Sequence, residues 1–222
     1  MTNVLYMPDG NRRFALKNSI PLSKAYSLGG RTLKLFSQFF LAEERAQMLV
    51  YHALSSYTHQ RTDSSLDSIF EAATKTFEDL AQEDFFKRNG IGFRAIDHSG
   101  KLPATLERTA KVLSGPTAGL NKKECVVLLG YSLENDINSA LSHKPADYES
   151  FRKGLIFPEI DLILRPLEMR VSGGPVYAMS QAQMITLDKS NPEVSRKDLE
   201  RAWQEHIRLK DYRKIGNPSY HK

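Results

Sequence analysis

The 222-residue chain contains a single cysteine, a single tryptophan and no apolar run near the ~20 residues that a membrane span requires. Cys125 alone excludes an intrachain disulfide and fits a reducing compartment, so a cytoplasmic protein is expected. No CxxC, HxxxH or HExxH spacing occurs among Cys125 and the six histidines, which argues against a tight zinc site. Ten prolines and 13 glycines are too few and too scattered for a fibrous or disordered chain. The N-terminus, MTNVLYMPDG, lacks the basic-then-apolar pattern of a secretory signal. What remains is an ordinary globular balance, 41% hydrophobic and 26% charged, sized for one domain spanning 1–222.

The excess of one sign of charge over the other is also small. The net charge is +5, and eight basic against four acidic residues between Arg196 and Lys222 supply most of it. No basic-aromatic interleaving accompanies this tail, so nucleic-acid binding is not expected, and a solvated helix face explains most of it. Arginines serving an anionic ligand are the sharper alternative.

Short apolar runs alternate with amphipathic stretches. Asn3–Met7, Gln47–Leu54, Ile91–Ile96, Cys125–Leu129 and Ile160–Leu164 read as strands. Cys125–Leu129 (CVVLL) is apolar throughout, as a central parallel strand should be. Ser23–Leu41, Ser64–Phe86, Ala104–Leu113 and Leu133–Leu141 carry helical periodicity. Val176–Ile185 fits helix or strand equally. Ser195 with Asp198 opens a last helix whose inner face is Leu199, Ala202, Trp203, His206 and Ile207. This alternation predicts an α/β fold, a mostly parallel central sheet flanked by helices. Ligands in such sheets bind beyond the carboxyl ends of the strands, which directs attention to Pro8–Phe14, Ser55–Arg61, Asp97–Gly100, Gly130–Asn135 and Arg165–Ser172.

The first of these segments, Met7-Pro8-Asp9-Gly10-Asn11-Arg12-Arg13-Phe14, is a turn with one carboxylate, one amide and two guanidiniums opening onto a helix. Guanidiniums grip phosphate oxygens bidentately, and an aspartate places Mg2+ on a diphosphate. Read alone, the segment serves equally well as a charged helix cap.

In its order of motifs the chain resembles the cis-prenyltransferases, the undecaprenyl diphosphate synthase family. The first segment is similar to that family's Asp-Gly-Asn-Gly-Arg-Trp. Leu54-Ser55-Ser56 with Arg61 resembles its Phe-Ser-Ser/Thr-Glu-Asn-Trp-x-Arg. Asp161-Leu162-Ile163-Leu164-Arg165 with Arg170-Val171-Ser172 resembles its Asp-Leu-x-Ile-Arg…Arg-x-Ser, and Arg213-Lys214-Ile215-Gly216 its terminal Arg-Arg-x-Gly. Each match is weak alone; the ordered set spans the chain.

The departures are specific. Arg12 replaces a glycine and Phe14 a tryptophan, and the Arg and His of the next helix become Leu22 and Tyr26. Tyr57-Thr58-His59 stands for Glu-Asn-Trp, Gly130-Tyr131-Ser132-Leu133-Glu134 for Asn-Tyr-Gly-Gly-Arg, and Gln183 falls near a glutamate that reaches Mg2+. Arg-Arg after Asp-Gly, Tyr26, Gly-x-Ser-Leu and Arg165-Pro166 resemble the small branch of lavandulyl and cyclolavandulyl diphosphate synthases.

The resemblance implies a Mg2+-dependent transferase that ionises an allylic diphosphate and joins it to a second small isoprenoid diphosphate, giving an irregular product. It implies Asp9 for Mg2+, with Asn11 and Arg13 on the first diphosphate and Gly10, Arg12 and Arg61 beside them. Arg165, Arg170 and Ser172 hold the second substrate. Ser55, Ser56, His59 or the released diphosphate takes the proton. Phe14, Leu22, Tyr26 and Leu54 wall the pocket. Arg213 and Gly216 reach the partner's site in a homodimer. The alternatives are a regular short-chain Z-prenyl diphosphate synthase using isopentenyl diphosphate, prenyl transfer to another acceptor or cyclisation, and a catalytically silent subunit.

Overall fold

Six strands form one sheet in the computed structural model, in the order β3-β4-β2-β1-β5-β6, and every neighbouring pair is parallel. Residues 2–60, 65–171 and 173–216 are described, with Gln60 and 211–216 as backbone only. The strands are β1 (Asn3–Tyr6), β2 (Met48–Ser55), β3 (Gly92–Ile96), β4 (Glu124–Tyr131), β5 (Leu162–Pro166) and β6 (Gln183–Leu187). The helices are α1 (Asn11–Lys17), α2 (Leu22–Phe36), α3 (Ser65–Gln82), α4 (Phe85–Arg88), α5 (Ala104–Ser114), α6 (Leu133–Ser142), α7 (Tyr148–Gly154) and α8 (Arg196–Gly216).

Side chains alternate across each strand, so the sheet separates two apolar layers. Val4, Tyr6, Leu49, Tyr51, Cys125, Val127 and Leu129 face α2, α3, α5 and α8; Tyr6 stacks on Phe36 with ring centroids 3.7 Å apart. Leu5, Val50, Val126, Leu128 and Ile163 face the opposite side, against Phe157, Ile160 and Ala178. Cys125 is a free, buried thiol in this core.

The fold class is the expected one, with local corrections. Apolar β4 is buried on nearly its whole length yet lies second from the sheet edge rather than at its centre. α2 runs into a wider helical turn, Ser37–Ala42, which buries Phe39, Phe40 and Leu41. The long helix expected over Ser64–Phe86 breaks at Asp84 (φ 51°), and the break swings Phe85 and Phe86 into the core. The undecided Val176–Ile185 is a short 3-10 turn (Val176–Met179) followed by β6. On α8, Leu199, Ala202 and His206 are buried, but Ile207 is 37% exposed and does not belong to the inner face. The Asp198 carboxylate accepts from both the Ser195 N–H (2.9 Å) and its hydroxyl (2.6 Å), which closes the helix start. Among the described residues no helix is long and apolar enough to cross a membrane.

Candidate active site

Parallel pairing puts the ends of β1, β2, β4 and β5 on one edge, and a cavity of about 770 Å³ opens there beneath α1, α2 and α3. One end is charged, lined by Asp9, Arg12, Arg13, Arg165, Glu168 and Arg170. The other is apolar and stops at Leu33, Phe77, Val127 and Leu129, all of them core residues.

The turn after β1 sets the charged end. Gly10 adopts a left-handed conformation (φ 88°), which turns the chain sharply from the strand into α1 and is the conformation glycine tolerates best. Asp9 then sits between three donors. Its Oδ1 accepts from the Gly10 N–H (2.6 Å) and Arg13 Nη2 (3.0 Å), and its Oδ2 from Arg165 Nη2 (2.8 Å). Partial burial works against ionisation, but Arg165, the Gly10 N–H and Arg13 outweigh it, so the carboxyl titrates below its usual range. Arg165 lies within β5 rather than after it, which explains why it is only 5% exposed. Its Nη1 donates to the Arg170 carbonyl (2.6 Å), while its Nε has no partner among the described residues.

Glu168 was not singled out from the sequence, although it lies in the segment following β5. Its carboxylate contacts Arg13 (3.1 Å), Arg165 (3.5 Å) and Arg170 (2.6 Å). Three guanidiniums thus surround two carboxylates, a net positive cluster at the mouth of an apolar cavity. His52 was also missed. It lines the cavity from β2, and burial followed by the charge of Arg165 lowers its imidazole to about 4, so it is neutral near pH 7.

Of the residues expected from sequence, Asp9, Gly10, Asn11, Arg12, Arg13, Tyr26, Leu54, Ser55, Arg165 and Arg170 line this cavity. Phe14, Leu22, Ser56 and His59 do not. His59 is turned into the protein, where its Nε2 donates to the Leu129 carbonyl (2.8 Å) and its ring lies by Phe70. That orientation removes it as a base over the cavity. Ser55 Oγ remains there, bonded to Thr58 Oγ1 (3.2 Å). Arg61 and Ser172 lie outside the described residues, and Arg213 and Gly216 fall in the last turns of α8, described as backbone only. Gln183 begins β6, paired with Leu162 at the opposite end of the strands from Asp9, and bonds His206. Within one chain it stands apart from the Asp9 turn. Among the described residues no group of three or more His, Cys, Asp or Glu side chains is placed to hold a metal ion.

The family model described as "Putative undecaprenyl diphosphate synthase" matches residues 7–214. The chain belongs to this cis-prenyltransferase family. It is therefore a prenyl-transferring enzyme of the cis-prenyl diphosphate synthase type. A relative from Sulfurisphaera tokodaii, a tritrans,polycis-undecaprenyl-diphosphate synthase (geranylgeranyl-diphosphate specific), is 27% identical over 220 residues, covering 92% of this chain and 84% of its own. One of the same description from Pyrobaculum aerophilum is 26% identical over 221 residues, with 93% of each chain covered. The crystal structure of lavandulyl diphosphate synthase from Lavandula x intermedia with dimethylallyl diphosphate superposes with a TM-score of 0.83. It covers 92% of this cis-prenyltransferase and 94% of that chain at 19% identity, a likeness of fold.

Proposed function

We propose that this cis-prenyltransferase ionises a small allylic diphosphate, such as dimethylallyl diphosphate, and condenses it with a second small isoprenoid diphosphate to an irregular, lavandulyl-type product. The observation that carries this reading is the cluster of Asp9, Arg13, Arg165, Glu168 and Arg170 at the mouth of a cavity whose inner end is apolar. Diphosphates are recognised by charge-assisted bonds from guanidiniums, and a developing carbocation needs a wall without nucleophilic water. The Arg12-Arg13 turn, Tyr26 and Arg165-Pro166 favour the irregular branch.

Mg2+ fits this donor set. Asp9 offers one ionised carboxylate at the cavity, and Mg2+ is commonly held by one or two carboxylates plus substrate phosphates. When bound, the ion would neutralise charge growing on the leaving diphosphate. The chain's own groups act on the same atoms. Arg13 and Asn11 hold the first diphosphate as its C–O bond breaks and the electron pair stays on oxygen. Arg165 and Arg170 hold the second substrate, whose double bond forms the new C–C bond. The released diphosphate accepts the proton that restores the alkene, with Ser55 beside it.

A regular coupling is the second reading, favoured by the names of the sequence relatives. Incubation with Mg2+ and dimethylallyl diphosphate alone separates the two. A ten-carbon product supports the irregular reaction. A product formed only with isopentenyl diphosphate overturns it in favour of regular coupling, and no product under either condition overturns dimethylallyl diphosphate as the allylic substrate.

The chain is further proposed to be a single-domain cytoplasmic homodimer whose Arg213 and Gly216 approach the neighbouring subunit's phosphate site. Deleting Lys210–Lys222 tests this. Activity regained on mixing the truncated protein with full-length Asp9→Ala supports the assembly. A monomer of undiminished activity overturns it.

A further inference from the structure

Asn191 lies between the Asp9 turn and the middle of α2, at the start of the 3-10 turn Asn191–Glu193. It is 1% exposed, and its polar atoms are engaged on every side. Its backbone N–H donates to the Asp9 carbonyl (2.8 Å). Its Oδ1 accepts from the Tyr6 hydroxyl (2.6 Å) and lies 2.9 Å from Thr32 Oγ1, whose single hydrogen is shared with the closer Gly29 carbonyl (2.6 Å). Its Nδ2 donates to the Gly29 carbonyl (3.2 Å) and to Asn11 Oδ1 (3.1 Å).

The polarity of this chain of bonds is fixed from one end. A backbone carbonyl only accepts, so the nitrogen of the Asn191 amide must face Gly29. The second hydrogen on that nitrogen then faces Asn11, which must answer with its oxygen. The Asn11 NH2 is left without an acceptor among the described residues, on a side chain that lines the cavity next to Asp9 and Arg13. Phosphate oxygens only accept, so this is the orientation an anion requires.

Gly29 is what permits the approach. Glycine in the middle of a helix is a destabilising choice, yet a Cβ here would stand 2.3 Å from Asn11 Oδ1 and 2.5 Å from Asn191 Nδ2. Both amides occupy the space that a side chain would fill.

We propose that Asn191 is a positioning residue for the prenyl transfer: read from the Gly29 carbonyl, it locks the Asn11 amide with its NH2 presented to the substrate's diphosphate. The inference rests on the assignment of Asn11 to that diphosphate. Turning the amide over would set a carbonyl oxygen against the anion. The affected bond is a charge-assisted one, and its loss lowers affinity by about tenfold to a hundredfold.

The test measures binding of inorganic pyrophosphate without metal by calorimetry, together with kcat/KM for dimethylallyl diphosphate. Asn191→Asp keeps an acceptor for Tyr6 and Thr32 but draws the Asn11 NH2 toward itself. It is expected to lose about tenfold to a hundredfold in both measurements, as Asn11→Ala does, and to add little further loss in the Asn11→Ala background. Gly29→Ala, which favours the helix but displaces both amides, should weaken pyrophosphate binding too, and Asn191→Ser, which removes the donor to Asn11 without adding a charge, decides the matter if the buried aspartate prevents folding. A fully multiplicative loss in the double variant, or unchanged binding in Gly29→Ala or Asn191→Ser, overturns the positioning role while leaving Asn11 in the site. Unchanged binding and turnover in Asn11→Ala alone would instead remove Asn11 from the diphosphate, and the inference with it.

Discussion

Arg165 and Asp9, 156 positions apart in sequence, meet at 2.8 Å because β1 and β5 are adjacent and in parallel register, Tyr6 opposite Leu164. Neither group is left as an uncompensated charge at the cavity edge. The pairing keeps the aspartate ionised and the guanidinium in one orientation.

Asp9→Ala should reduce kcat by on the order of a hundredfold or more, the usual cost of removing one preorganised electrostatic stabiliser. Its backbone carbonyl bond to Asn191 survives the substitution, so the fold should persist. Steady-state rates at saturating Mg2+, with circular dichroism as the control, check this; half the wild-type rate would exclude Asp9 from the reaction.

Arg165→Ala and Arg170→Ala should separate. Arg170 is two-thirds exposed and held by Glu168, so its loss should mainly raise KM for the second substrate. Arg165 is buried and bonds both Asp9 and the Arg170 carbonyl. Its removal should raise the same KM and also lower Tm, since it leaves the partly buried Asp9 carboxylate and the Arg170 carbonyl with fewer partners. Equal effects in the two variants would contradict this division.

Glu168→Gln should tighten binding of inorganic pyrophosphate. The carboxylate touches all three guanidiniums, and an incoming anion must compete with it for Arg13 and Arg170. Replacing it by an amide removes that competitor while retaining acceptor capacity. Calorimetric titration reads the change; weaker binding would mean that Glu168 holds the arginines in place.

His52 gives the protein a pH-dependent term in stability. Its imidazole is lowered from 6.5 to about 4 by burial and then by Arg165. The unfolded chain therefore binds the extra proton first as pH falls, and the stability associated with neutral His52 is present above about 6.5 and lost toward 4. His52→Gln should flatten the pH dependence of the unfolding free energy across that window. Parallel curves for the two proteins would contradict the burial argument.

The hydrophobic alternation, the CVVLL strand and the Asp9–Arg13 turn were legible because they are local: periodicity specifies which face is buried, and turn residues specify where a strand ends. Other elements left no such mark. α7 buries none of its side chains and is set by an Asp147–Ser150 capping box, so no apolar stripe announces it. The break at Asp84 follows from the demand of Phe85 and Phe86 for the core, which no window of helical periodicity reports.

The residues themselves determined the fold class and the chemistry on offer, a carboxylate, an amide and several arginines at or just beyond strand ends. Only the tertiary structure decided which of these converge. His59 satisfies the buried Leu129 carbonyl instead of facing the cavity. Glu168 closes on Arg13 and Arg170, and Asn191 reaches across 180 positions to Asn11. Spacing along a chain fixes which groups share a helix or strand face, whereas contacts between β1, β5 and the turn after β6 depend on strand order, which local sequence does not encode.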